Sequence, residues 1–157
     1  DTTVTGIGNA LWALSQNPAQ FELLKDDPSL AMAAFEETLR LTSPVAAFCR
    51  TACVDTAVAG VKIAEGSKIL CVLGAANLDP MQWNAPNVFD IKRKTAGHLA
   101  LGAGVHMCVG QNIARAEGQA ILTAISEMVG TLEPDGDAVW RPNNAMHALE
   151  YLPLRVE

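Results

Sequence analysis

"LGAGVHMCVG", residues 101–110, sets a single cysteine between glycines and a histidine, and "QNIARAEGQAILTAI" runs on behind it. Glycine weakens helix and strand interiors, so Gly102, Gly104 and Gly110 around Cys108 point to a special backbone conformation or a close approach. The stretch behind them has helical spacing, so the segment reads as a tight loop entering a long helix. A buried, inert thiol explains the cysteine as well as a reactive one does, and the rest of the chain has to decide between them.

The chain has 157 residues, enough for one domain with a real core. Half of them are hydrophobic, and no repeat or low-complexity tract occurs, which excludes a disordered chain. A net charge of −6 argues against non-specific nucleic-acid binding. No apolar run is long enough to span a bilayer, and nothing at the start reads as a signal peptide. The four cysteines, Cys49, Cys53, Cys71 and Cys108, are unevenly placed and read as reduced thiols of a cytoplasmic protein. The opening "DTTVTGIGNALWALSQNP" starts inside a periodic helix, with Ile7, Leu11 and Leu14 on one face. That is the expectation for a fragment.

Helices dominate the first forty residues. Asn17-Pro18 ends one and opens the next, and Asp27-Pro28 repeats the device before "PSLAMAAFEETLRL". That third helix carries Ala31, Phe35 and Thr38 on one side and stops at Ser43-Pro44. "VAAFCRTA" and "SKILCVLG" read as strands, with a turn at Gly60 between them. Residues 79–107 form a long aperiodic meander, the kind of segment that usually carries function. The helix after Cys108 is expected to bury Ala114, Ile121, Ile125 and Met128 and to end at Gly130, ahead of a tail of short strands. The fold class is therefore mainly α with small β-sheets.

Cys49 and Cys53 have a zinc-like spacing. In a strand, however, four residues span roughly 13 Å, too far to share one ion. His98 and His106 miss the usual pair spacing as well. Gly102-x-Gly104 lacks the third glycine of a dinucleotide loop and follows no strand. Cys108 remains. A cysteine at a helix N-terminus meets unsatisfied N–H groups and the positive end of the helix dipole, and both favour the thiolate. If it lies against a flat macrocycle such as haem, the glycines let backbone turn beneath that plane and bring amide donors to the sulfur.

These residues also carry a family resemblance. "LGAGVHMCVG" resembles the cysteine-ligand loop of the cytochrome P-450 monooxygenases, Phe-x-x-Gly-x-x-x-Cys-x-Gly, with Leu101 in place of the phenylalanine. Glu37-Thr38-Leu39-Arg40 resembles the family's Glu-x-x-Arg, and Phe89-Asp90-Ile91-Lys92-Arg93 the meander segment that completes its structural triad. Asp1-Thr2 resembles the acid-alcohol pair of the oxygen-activating helix, and "AANLDP" the family's Ala-Asn-Arg-Asp-Pro with Leu78 replacing arginine. The resemblance covers essentially the whole chain. It implies that residues 1–157 are the C-terminal part of one haem-thiolate monooxygenase domain, cut inside the oxygen-activating helix.

By the same resemblance, Cys108 ligates the iron of haem b, with Leu101, Gly102 and Gly110 against the macrocycle and Arg50 and His106 on its propionates. Thr2 hydrogen-bonds dioxygen, and Asp1 helps deliver protons. Glu37, Arg40 and Arg93 form the triad. Val45, Phe48 and Met146 line the substrate pocket, although ordinary core explains them equally well. His98 reads as a packed or a solvated histidine. Lys92, Lys94 and Arg115 are candidates to meet an acidic redox partner, or simply solvated charges. The implied reaction inserts one oxygen atom of O2 into a small organic substrate. Electrons come from a ferredoxin and its NAD(P)H-dependent reductase. "FEETLRLTSPV", "GVHMCVGQ" and "NNAMHALEYLP" resemble most the soluble bacterial enzymes that oxidise para-substituted benzoates, 4-methoxybenzoate demethylases among them. The alternatives are a haem-binding sensor or carrier without oxygenase activity, and a partial product with no function of its own.

Overall fold

The computed structural model describes residues 1–157. Three helices open the chain: α1 (Thr2–Gln16), α2 (Pro18–Asp26) and α3 (Ala31–Thr42). Pro18 sits in the first turn of α2, where its missing N–H costs nothing. Asn17 does not cap that helix with its side chain. Its amide instead donates back to the Ala13 carbonyl at 2.8 Å and closes the end of α1. Pro28 opens a short 3-10 turn, Pro28–Leu30, held by Asp27, whose carboxylate accepts the Ser29 N–H at 3.1 Å. The regular helix therefore begins three residues later than the sequence suggests. It ends at Ser43, which takes a left-handed conformation (φ 43°) ahead of Pro44.

Strand β1 (Ala47–Thr51) pairs antiparallel with β4 (Lys68–Val72), and between them β2 (Thr56–Val58) and β3 (Val61–Ile63) form a hairpin. Ala59 and Gly60 both have positive φ at its tip, the two-residue turn that matches strand twist. A five-residue helix, α4 (Leu73–Asn77), then leads into the meander. The long helix α5 (Gln111–Met128) follows the cysteine loop. Two more antiparallel pairs close the chain: β5 (Leu132–Pro134) with β8 (Leu154–Val156), and β6 (Val139–Trp140) with β7 (Leu149–Tyr151). No helix is long and apolar enough to cross a membrane.

The core lies where α1, α2, α3 and α5 meet, around Leu14, Phe21, Leu24, Phe35, Leu39 and Leu122. Phe35 is its wedge. A side-chain carbon placed on Gly118 of α5 would lie 2.5 Å from the Phe35 ring, and one on Gly6 of α1 would lie 3.3 Å from it. This contact fixes the rotation of α5, turning Gly118, Leu122 and Ser126 inward. Ala114 and Ile125 stay on the inner side, half-buried. Ile121 and Met128, expected on the buried stripe, lie outside it at 41% and 82% exposure. Side-chain size suggested one rotation, and the close approach at glycine imposes another.

Candidate active site

The meander has no repeating hydrogen bonds of its own, so its path is set by side chains that reach it from the helices. The chief of these is Glu37, fully buried on α3. Its carboxylate accepts Arg40 Nε at 2.7 Å and Nη2 at 2.9 Å, Arg93 Nε at 3.0 Å, and the Asp90 backbone N–H at 3.2 Å. Arg40 is equally buried and donates from Nη1 to the Asn77 carbonyl at 2.9 Å. Its guanidinium also lies over the buried Trp83 ring, 5.5 Å from the centroid. Arg93 ties the meander to itself through the carbonyls of Asn84, Ala85 and Val88. The structure thus brings Glu37, Arg40 and Arg93 into one cluster in which every charge has a partner. The cost of burying them is offset by that complete pairing.

Asn77, assigned no role from the sequence, joins three segments. Its amide donates to Ser43 Oγ at 2.9 Å, and its side-chain oxygen accepts the Leu99 N–H at 2.6 Å. The chain therefore enters the cysteine loop from a fixed point. Within the loop, Gly102 has φ +76°, and a side-chain carbon there would lie 2.5 Å from the His106 carbonyl oxygen. No other residue fits. The Cys108 N–H donates to the Leu101 carbonyl at 2.8 Å, and the Cys108 carbonyl accepts the Gln111 N–H at 3.2 Å. Cys108 does not start the helix as the sequence suggests: it precedes Gly110, which flanks α5 at its N-terminus. Gly110 has an ordinary φ of −84°, and a side-chain carbon there would stand 3.9 Å from Cys108 Sγ, an ordinary contact, so the fold of the chain itself does not require glycine at this position.

A cleft of about 330 Å³ opens in front of this loop. One wall holds Leu101, Gly102, Cys108, Gly110 and Ala114; Thr2, Val45 and Phe48 also face it, with Arg50 and His106. Arg50 lies over the Phe48 ring at 4.0 Å, which holds the cation beside the cleft. An apolar slot with one soft sulfur donor and cationic or hydrogen-bonding side chains for carboxylates fits a flat, thiolate-ligated macrocycle carrying acidic groups. Haem meets that description, and the residues present fit it.

Asp1 and Met146 line an adjoining cleft with Arg141 and Glu150, beside the one that Thr2 faces. Met146 is set there by the C-terminal segment, which is pinned to α3 and α1: Val45 bridges to Met146, the His147 ring bonds the Thr42 carbonyl at 2.8 Å, and Asn9 donates to the His147 carbonyl at 2.9 Å. His98 is buried and bonds Glu36 at 2.7 Å. Arg115 pairs with the same carboxylate and is thus no free surface charge. Cys49 and Cys53 are exposed free thiols, and no cluster of metal-ligating side chains forms around them.

Comparison with known proteins bears on the same residues. The family model for cytochrome P-450 matches residues 26–127. Cytochrome P-450 CYP199A2 of Rhodopseudomonas palustris is 48% identical over 156 residues, which span 99% of this chain and 38% of that protein. The biotin biosynthesis cytochrome P-450 of Bacillus subtilis is 40% identical over 158 residues, 100% of this chain and 40% of that one. Among solved structures, P-450BioI in complex with an acyl carrier protein ligated to hexadec-9Z-enoic acid superposes with a TM-score of 0.96 at 38% identity, covering 100% of this chain and 41% of that one. The chain spans about two fifths of the length of these relatives.

Proposed function

The chain belongs to the cytochrome P-450 family, and on that premise we propose that residues 1–157 form the C-terminal part of one haem-thiolate monooxygenase domain, the rest lying in a longer parent enzyme. The observation that carries this reading is the cleft in which Cys108 and Thr2 share walls with Arg50 and His106. The group it takes is haem b.

When bound, haem supplies the iron at which dioxygen is reduced by two electrons, and the thiolate's electron density favours O–O cleavage. Cys108 would give the sulfur ligand, held in place by the bond from its N–H to the Leu101 carbonyl. Arg50 and His106, which line the cleft, would hold the haem's acidic substituents, guanidinium being suited to paired bonds with a carboxylate. Thr2 offers a hydroxyl proton into the cleft, and Asp1, at the mouth of the adjoining cavity, resupplies it from solvent. Val45 and Phe48 supply the apolar surface against the substrate, and Met146 contributes from the neighbouring cleft. One oxygen atom enters the substrate; the other leaves as water with two protons and two electrons.

The electrons come from a ferredoxin with its NAD(P)H-dependent reductase in the cytoplasm. The substrate is a small organic molecule, an aromatic carboxylic acid that is hydroxylated or O-demethylated. The resemblance of "FEETLRLTSPV" and "NNAMHALEYLP" to benzoate-oxidising enzymes supports that class.

Cys108→Ala in the parent enzyme tests the assignment. The expected result is loss of the strongly red-shifted Soret band of the reduced carbon monoxide complex, together with the oxygenase activity. A mutant that keeps the band has another ligand, and the reading is then wrong.

A further inference from the structure

Glu36 stands next to the triad carboxylate on α3 but faces the other way. Its Oε2 meets His98 Nε2 at 2.7 Å, and its Oε1 accepts Arg115 Nε. His98 lies just upstream of the cysteine loop and Arg115 in the first turns of α5, just downstream. One carboxylate therefore touches the two arms from which Cys108 is suspended. The upstream arm is short: His98 Nδ1 accepts the Ala100 N–H at 3.2 Å, and the carbonyl of the following residue, Leu101, accepts the Cys108 N–H at 2.8 Å. Because Nδ1 is an acceptor, the ring proton sits on Nε2 and points at Glu36. The downstream arm runs from Arg115 through its bond to the Gln111 side chain, and the Gln111 N–H returns to the Cys108 carbonyl at 3.2 Å.

Resting on the function proposed above, we propose that Glu36 is a positioning residue for Cys108, fixing both arms of its loop through His98 and Arg115. A bare surface ion pair would do little of this. Here the carboxylate is only 15% exposed and His98 4%, so both partners are held in place. Burial pushes the Glu36 carboxyl up, and the hydrogen bonds from His98 and Arg115 more than reverse this, so it remains a charged double acceptor. Partners beyond the ligand itself set the orientation and electron density of the ligand, and their loss typically costs one to two orders of magnitude in metal affinity or activity.

Glu36→Gln in the haem-loaded parent enzyme is the test. Glutamine keeps one acceptor and turns an N–H donor toward either His98 or Arg115, so one arm is released. The expected result is a shifted ferric/ferrous midpoint potential. Conversion of the reduced carbon monoxide complex from its red-shifted to its blue-shifted band should also be roughly tenfold faster. His98→Gln should reproduce both changes, and the double mutant should be no worse than the more severe single one. Glu22→Gln, which breaks an exposed pair with Lys25 far from the loop, should move neither readout. A Glu36→Gln enzyme with unchanged potential and conversion rate makes Glu36 a mere brace, even if it melts earlier, and overturns the inference. Should Glu36→Gln yield no haem-loaded protein, the same two readouts on His98→Gln decide. Cys108→Ala separates the failures: if it keeps the red-shifted band, the proposed function falls, and if it loses the band while Glu36→Gln changes nothing, only this inference does.

Discussion

Gly118→Ala should destabilise the protein, although the same change in most helices does the opposite. In an exposed helix interior, alanine is favoured over glycine by about 1 kcal/mol. At Gly118 the added carbon would lie 2.5 to 2.6 Å from three atoms of the Phe35 ring. Carbon atoms attract at about 3.5–4.0 Å, so this is deep overlap. Relief would require the ring to move toward α1. There Gly6 already faces it at a spacing so tight that its own side-chain carbon would lie 3.3 Å away. With the ring caught between two helices, the overpacking cost sits near the top of the usual range, about 3 kcal/mol. Subtracting the propensity gain leaves a net loss of about 2 kcal/mol. Urea unfolding of the parent enzyme, followed by circular dichroism, should show the midpoint falling. Phe35→Leu in the mutant background should restore part of it, giving a favourable coupling energy in a double-mutant cycle. A Gly118→Ala protein as stable as the parent would refute the wedge and with it the account of how α5 is rotated.

Glu37→Gln leaves the fully buried Arg40 guanidinium without its charge partner, and stability should fall by about 3–5 kcal/mol, read as a lowered urea midpoint and poor haem retention. Arg93→Gln should cost less, because Arg93 is 12% exposed and Glu37 keeps Arg40; equal losses would contradict the geometry. Acid stability should depend on Glu36. Its carboxyl titrates below the ordinary value of 4.5, so its contribution is fully present above about that pH and fades as pH falls through the lower folded value. Unfolding curves between pH 3 and 6, taken as about a unit and a half either side of a glutamate's unfolded pKa, should therefore show a shallower acid limb in Glu36→Gln, and an identical limb would show that the carboxylate has no role in it.

Much of this was legible in the sequence where the signal is local. Asn17-Pro18, Asp27-Pro28 and Ser43-Pro44 punctuate the helices because proline's missing N–H and fixed φ act within a residue or two. The resemblance of Glu37-Thr38-Leu39-Arg40 to a family motif pairs Glu37 with Arg40, and the spacing agrees, since residues three apart share a helix face. What failed was non-local. The burial of α5 could not be read from Ile121 and Met128, because it depends on Gly118 meeting Phe35 from a different helix. The placement of Met146 in the adjoining cleft follows from Val45 and His147 anchoring the C-terminal segment, contacts between parts of the chain a hundred residues apart. His98 gave no signal of its partner, because the path from the strands to residue 98 carries no periodicity.

The adjacent carboxylates of α3 explain why this helix matters to a sulfur on another segment. At 3.6 residues per turn, neighbouring side chains point about 100° apart, so Glu36 and Glu37 necessarily face different surroundings. Glu37 faces the meander and gathers Arg93 and the Asp90 N–H; Glu36 faces the cysteine loop and takes His98 and Arg115. The meander and the cysteine loop have only turn and loop backbone hydrogen bonds of their own, and these carboxylates tie both to α3. The helix itself cannot rotate to suit one without displacing the other, and Phe35, the preceding residue, locks it between Gly6 and Gly118. Three consecutive side chains, Phe35, Glu36 and Glu37, therefore transmit the rigidity of the core to the loop that carries Cys108. A loop dictated by its own sequence would tolerate changes in α3; this one should not.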